Sequence, residues 1–110
     1  MTGVKFLADN KGLYGFEISG HSSRDCDDSA GKIVCAAVSS AAFMAANTIT
    51  EVIGDKADAV VDDALMVVKC ENPSKESRVV LEGLKLHLTE LATQYSNNIK
   101  IFGGAKNVKD

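Results

Sequence analysis

The sequence predicts an α+β domain with a small, mainly antiparallel sheet and two helices packed mainly on one face. Two pairs of short runs rich in valine and other β-formers are each split by turn-forming residues, as in β-hairpins. Each hairpin is followed by a longer segment with apolar residues at helical spacing, and a last apolar run precedes two glycines. The predicted order is therefore ββαββαβ, which favours an α+β sheet over a doubly wound parallel sheet.

The length and composition are those of a single globular domain. The 110 residues are 45% hydrophobic and 25% charged, with one proline, so residues 1–110 are expected to form a single domain. The net charge of -3 argues against a domain that binds nucleic acid through its phosphates, because such domains are usually basic. We expect no direct nucleic-acid partner.

Three cysteines, Cys26, Cys35 and Cys70, form an odd set without a CxxC pair. This pattern suits neither a disulfide framework nor a zinc site, so we expect no metal or other cofactor and a reducing cytoplasm. Residues 1–10 lack the features of a secretory signal. Residues 33–50 carry no charge but contain several polar side chains and no leucine, so no membrane span is expected.

In the first half, residues 4–8 and 13–19 are predicted to form a hairpin around a turn at residues 9–12. Residues 20–31 are polar, with glycine near both ends, and predict a loop of functional length. From about residue 30 to about residue 53 the chain is alanine-rich and apolar all round, which predicts a buried helix that stops at Gly54. The positions expected at helical spacing are Val34, Val38, Ala42, Ala45, Ile49 and Val52.

In the second half, residues 57–62 and 65–70 are predicted to form another hairpin, and residues 99–102 a last strand. A helix starts at residues 72–74, where Pro73 suits the first turn, and reaches Tyr95. Val79 and Leu86 point away from its inner face, which predicts a dimer contact. The expected inner stripe is Val80, Leu84, Leu88, Leu91 and Tyr95.

Cys35 and His21 are the candidate catalytic pair. A cysteine nucleophile must be a thiolate, and both a helix amino terminus and a neighbouring imidazolium stabilise that anion. Cys35 is predicted in the first turns of the buried helix, and the loop after His21 can fold back to bring the two together. Residue types alone leave open the alternative that Cys35 is only a small core residue and His21 a surface residue.

The local sequence around these two residues is more specific than their types alone. Gly20, His21 and Ser22, followed by GKIVCAAVS at residues 31–39, resemble the Prp family of ribosomal-processing cysteine proteases. The resemblance implies that His21 and Cys35 form the catalytic pair of a cytoplasmic endopeptidase. It also implies removal of an amino-terminal extension from the bacterial large-subunit ribosomal protein L twenty-seven, a homodimer, and a loop at residues 22–30 that orders over substrate.

The chain departs from this family at Lys32, where an aspartate is expected three residues before the cysteine, and its loop is slightly longer. A dyad is therefore expected, with Asp27 or Asp28 either orienting His21 or serving as a solvated charge or helix cap. Ser39, one turn beyond Cys35, either shapes the substrate pocket or bonds its own backbone. Backbone N–H groups at the helix start, that of Cys35 included, are expected to stabilise the oxyanion.

The remaining candidates have simpler interpretations. Cys26 is either a resolving thiol or a weak metal ligand beside His21, whereas Cys70 and His87 are expected to be structural. Two other classes of function stay open. One is a non-enzymatic, dimeric ribosome-associated binding module in which Cys35 only packs, and the other is a thiol redox protein that uses Cys26 and Cys35.

Overall fold

The computed structural model describes residues 1–20 and 29–103. The strands are β1 (Thr2–Asp9), β2 (Gly12–Ser19), β3 (Ala57–Asp62), β4 (Leu65–Cys70) and β5 (Ile99–Gly103). The helices are α1 (Ser29–Asn47), continued by a π-helical segment (Thr48–Ile53), and α2 (Lys75–Gln94). The predicted ββαββαβ order and α+β class are confirmed.

One five-stranded sheet has the order β3-β4-β2-β1-β5. The two hairpins and the β2–β4 contact are antiparallel, whereas β5 pairs with β1 in parallel, Thr2 opposite Ile99. Parallel neighbours need a crossover connection, and the chain between β1 and β5 includes both helices. The two ends of the described chain therefore lie side by side in the sheet.

One face of the sheet carries the core. In β1, Thr2, Val4 and Phe6 are buried, while Lys5 between them is exposed, which is the period-two alternation of a half-covered sheet. The same alternation in β4 buries Met66, Val68 and Cys70. These positions join the helix residues in a single apolar cluster, so both helices cover this face.

Helix α1 buries one face rather than its whole circumference, which corrects the prediction of a fully buried helix. The buried positions are Val34, Cys35, Val38, Ala42, Ala45 and, in the π-helical segment, Ile49. The outer face is open because the sheet lies on one side only, so Ile33 and Met44 are 56% and 64% exposed. Val52 was expected in the buried stripe and is exposed, since the wider π-helical turn changes the helical register after Asn47.

The helix that runs from Ser29 to Ile53 is long and apolar enough to cross a membrane when judged by length and composition alone. The core helix of a soluble protein passes the same test. In this fold the inner face of the helix packs against the sheet.

Helix α2 packs through Leu81, Leu84 and Leu88, which are buried. Leu84 and Leu88 were predicted, and Leu81 was missed because the expected stripe started one residue earlier at Val80. The stripe is centred on Leu81 and Leu88, so the other predicted positions are only partly buried. These are Val80, Leu91 and Tyr95. Val79 and Leu86 are exposed, as predicted.

Asp55 links the end of the π-helical segment to the start of α2. Its carboxylate accepts hydrogen bonds from the backbone N–H and hydroxyl of Ser74 and from the hydroxyl of Ser77. Ser74 is itself the N-cap and accepts from the Ser77 N–H. The hydrogen bonds from Ser74 and then Ser77 hold the pKa of Asp55 below its ordinary value, since they favour the charged form.

Gly15 allows β2 and β4 to approach each other closely. A Cβ atom at this position would lie 2.3 Å from the carbonyl oxygen of Val68 and 3.1 Å from the Cα of Lys69. Both are backbone atoms of β4, so they cannot move without displacing the strand. The position therefore accepts only glycine.

We expect Gly15→Ala to lower the free energy of unfolding by about 2–4 kcal/mol, because the added methyl group forces the two central strands apart. Gly83→Ala is the matched control: it adds the same methyl group to α2, where nothing lies within 4 Å. That change should stabilise the protein by about 1 kcal/mol through helix propensity. Urea denaturation measures both, and equal stability of the two variants would contradict the close approach.

Candidate active site

Cys35 lies on the inner face of α1 and points towards the sheet. It is 9% exposed, between the fully buried Val34 and the exposed Ala36. Its sulfur lies 3.7 Å from the Oγ1 atom of Thr2, the first inward-facing residue of β1. Cys35 is therefore held at the junction of the helix layer and the sheet.

Helix α1 begins at Ser29, so Cys35 is in its second turn. The influence of a helix terminus fades within the first turn, so the helix dipole contributes little at Cys35. In a regular helix the Cys35 N–H is also bonded to the carbonyl of Gly31 and is not one of the open donors of the first turn. The predicted position of Cys35 in the first turns agrees with the structure, but the helix terminus stabilises a thiolate there only weakly, and the Cys35 N–H is a poor candidate for the oxyanion.

The two described cysteines differ in state. Cys35 is disulfide-bonded, whereas Cys70 is a free thiol buried in β4, as expected of a structural residue. Burial, followed by the negative charge of Asp55, raises the pKa of the Cys70 thiol. Cys70 is therefore a poor nucleophile near neutral pH, and Cys35 can act as one only after reduction.

Thr2 is a site residue that the sequence analysis missed, because β1 was expected to start at Val4. Its backbone N–H donates to the carbonyl of Asn98 at 2.8 Å, and the residue pairs with Ile99 in β5. The side chain is 2% exposed, one of two buried polar side chains in the described chain. Position 2 continues the alternation of Val4 and Phe6 by one step, and that signal was available in the sequence.

Gly20 sets the direction in which the chain leaves β2. Its φ of +72° is in the left-handed region, and an added Cβ would lie 2.5 Å from the carbonyl oxygen of Met1. Its N–H donates to the carbonyl of Ala64 at 2.9 Å. The end of β2 thus lies beside the start of β1, and the next residue of β1, Thr2, contacts Cys35.

The other predicted site residues are placed as follows. His21, Cys26, Asp27, Asp28 and the proposed lid at residues 22–30 lie wholly or mainly outside the described residues. Lys32 is exposed on α1, and Ser39 is half-buried one turn beyond Cys35. His87 is exposed on α2. Within residues 1–20 and 29–103, no group of three or more His, Cys, Asp or Glu side chains is placed to hold a metal ion.

Solved structures with the same fold include SMU.848 from Streptococcus mutans, which is 21% identical with a TM-score of 0.85 and covers 94% of this chain and 96% of its own. A second is the essential ribosomal processing protease Prp from S. aureus in complex with a substrate peptide. It is 19% identical with a TM-score of 0.85, covering 94% and 99%. The same protease with a covalently linked product peptide is 20% identical with a TM-score of 0.79.

No protein of curated function matches this chain significantly. The family model of the cysteine protease Prp matches residues 1–100, a range that includes every described strand and helix except the last residues of β5. The protein therefore belongs to the cysteine protease Prp family.

Proposed function

We propose that this protein is a cytoplasmic cysteine endopeptidase that removes the amino-terminal extension of ribosomal protein L twenty-seven and so supports ribosome assembly. Membership of the cysteine protease Prp family supports the reaction class. The similar S. aureus structures carry a substrate peptide and a covalently linked product peptide, which supports a peptide substrate. The acidic net charge of -3 suits a function without direct nucleic-acid contact, and we propose no membrane partner.

The observation that carries this proposal is that Cys35 and Gly20 contact two consecutive residues, Thr2 and Met1, at the start of the first strand. Cys35 contacts Thr2, and the preceding residue, Met1, packs its carbonyl against Gly20. His21 follows Gly20 directly in the sequence. Because a cysteine nucleophile needs a general base, we propose that His21 serves as that base for the Cys35 thiol.

In the proposed mechanism His21 removes the proton from Cys35, and the thiolate attacks the scissile carbonyl. The tetrahedral intermediate collapses as His21 returns the proton to the leaving amine, and water then hydrolyses the acyl enzyme. The open N–H groups of the first turn of α1, residues 29–32, are the donors proposed for the oxyanion.

We propose a dyad rather than a triad, because Lys32 is an exposed cation at the position where the family carries an aspartate. Ser39 lies on the same face of α1 as Cys35, one turn further along, and is proposed to shape the substrate pocket. A basic residue in place of the acid leaves Cys35 and His21 to perform the proton transfers.

Peptide cleavage tests the nucleophile and the base. In reducing buffer, the protein should cleave a peptide that spans the extended amino terminus of the host's ribosomal protein, with the products identified by mass spectrometry. Cys35→Ala should give no product, because the covalent step is lost. His21→Ala should slow cleavage by about 100-fold or more, which is the rate factor that a general base usually contributes.

Cys70→Ala is the matched control and should cleave normally, because Cys70 lies in the core away from the site. Cys26→Ser should also keep full activity, and a large loss there would favour thiol exchange between Cys26 and Cys35. Equal product from native protein and Cys35→Ala would end the proposal.

Gly20→Ala tests the role of the β2 exit. The methyl group would collide with the Met1 carbonyl and shift the chain that leads to His21, so we expect peptide cleavage to fall by at least about tenfold. Gly54→Ala is a matched control, since Gly54 also has a left-handed φ, +89°, but nothing lies within 4 Å of its Cβ position. Both variants carry a similar backbone cost of about 1–2 kcal/mol. A similar loss of activity in both would show that strain alone is responsible.

We also propose a homodimer formed through the helix layer. An open groove of about 710 Å³ runs between α1 and α2 and is mostly apolar. Its lining includes Met44 and Val80, and the nearby α2 residues Val79 and Leu86 are more than 60% exposed. A second copy related by a two-fold axis would present the same surface and so bury these side chains in the contact.

Val79→Glu combined with Leu86→Glu should convert the dimer to a monomer of 11.6 kDa, because two charges would be buried in the contact. Light scattering coupled to size exclusion measures the mass. Val60→Glu is the control, since Val60 is also more than half exposed but lies on edge strand β3. A native protein that is already monomeric at high concentration would contradict this contact.

A further inference from the structure

We propose that Thr2 is a positioning residue of the active site, whose hydroxyl donates a hydrogen bond to the Cys35 thiolate and stabilises it. This inference rests on the proposed role of Cys35 as nucleophile and adds a residue from β1 to the site. The observation behind it is the 3.7 Å contact between Thr2 Oγ1 and Cys35 Sγ, in the buried layer between β1 and α1.

The direction of the hydrogen bond follows from chemistry. A neutral thiol can either donate or accept, so the distance alone does not say which atom carries the proton. A thiolate has no proton, and neither has a disulfide-bonded sulfur. In the reactive form of Cys35 the hydroxyl of Thr2 must therefore be the donor.

A hydroxyl donor on β1 adds stabilisation of the thiolate that the helix terminus does not supply. Cys35 lies in the second turn of α1, beyond the reach of the helix terminus. Lys32 is exposed, so water and salt screen its charge. The hydroxyl of Thr2, in contrast, is in contact with the sulfur.

Thr2 is also held firmly enough to serve as a fixed donor. Its own N–H is bonded to the Asn98 carbonyl, and β1 is flanked by β2 on one side and β5 on the other. A β-branched side chain in a strand has few rotamers, so little entropy is lost when the hydroxyl is aimed at the sulfur. A preorganised dipole of this kind stabilises charge without rearrangement.

The test is the pH dependence of Cys35 alkylation in the full-length, reduced protein. Iodoacetamide reacts with the thiolate, and peptide mass spectrometry reports the rate at Cys35 separately from Cys70. In Thr2→Val, which keeps the shape but loses the hydroxyl, the midpoint of the rate profile should rise by about 0.7 pH unit. At 1.36 kcal/mol per unit this is about 1 kcal/mol, and below both midpoints Cys35 should react about fivefold more slowly.

Thr2→Ser is the rescue variant, because it restores the hydroxyl while removing the methyl group, and its midpoint should return to within about 0.2 unit of the native value. A purely structural role would give the opposite result, with valine tolerated and serine disruptive. Thr2→Ala replaces valine if that variant does not fold. An unchanged midpoint in the hydroxyl-free variant would overturn the proposal.

The outcome is separate from that of the proposed function. A native protein that fails to cleave the ribosomal peptide would refute the peptidase proposal, yet the shift between Thr2→Val and Thr2→Ser would still establish the hydrogen bond. A protein that cleaves the peptide but shows equal alkylation profiles in all variants would refute the role of Thr2 alone.

Discussion

The seating of α1 on the sheet is the contact on which the site depends. The buried stripe from Val34 to Ile49 includes the small residues Ala42 and Ala45, which let the helix axis lie close to the strands. Cys35 belongs to the same inner face, so packing aims its sulfur at β1 rather than at solvent. The chemistry of the site is therefore set by the strand beneath the helix, more than by the end of the helix itself.

The two described cysteines show how position within this core decides chemistry. Cys70 lies within a strand, where burial and the charge of Asp55 favour the neutral thiol. Cys35 lies at the edge of the core, beside a hydroxyl and near the point where β2 ends. Both residues are small and mostly buried, but at Cys70 burial and the charge of Asp55 outweigh the opposite effect of Arg78 and keep the thiol neutral.

Much of the fold was predictable from local patterns, because strand alternation and helical spacing depend on residues that are close in the sequence. The predicted inner stripe of α2 started at Val80 instead of Leu81. The apolar residues of this helix fit two neighbouring stripes, and only packing against the sheet decides which one is buried. Because residues 20–31 have no apolar periodicity, the sequence left the first residue of α1 open, and with it the strength of the helix dipole at Cys35. The contact of Thr2 with Cys35 joins residues 33 apart, and no local pattern encodes it.

The parallel pairing of β1 with β5 has a consequence for folding. Strand β1 lies between β2, which follows it directly in the chain, and β5, which comes last and pairs Ile99 with Thr2. Contacts between distant segments form slowly, because the loop entropy must be lost before they contribute. The part of the sheet that packs beneath Cys35 is therefore complete only when β5 has paired with β1. A nascent chain from which β5 has not yet emerged therefore lacks the strand that pairs with Thr2 beneath Cys35.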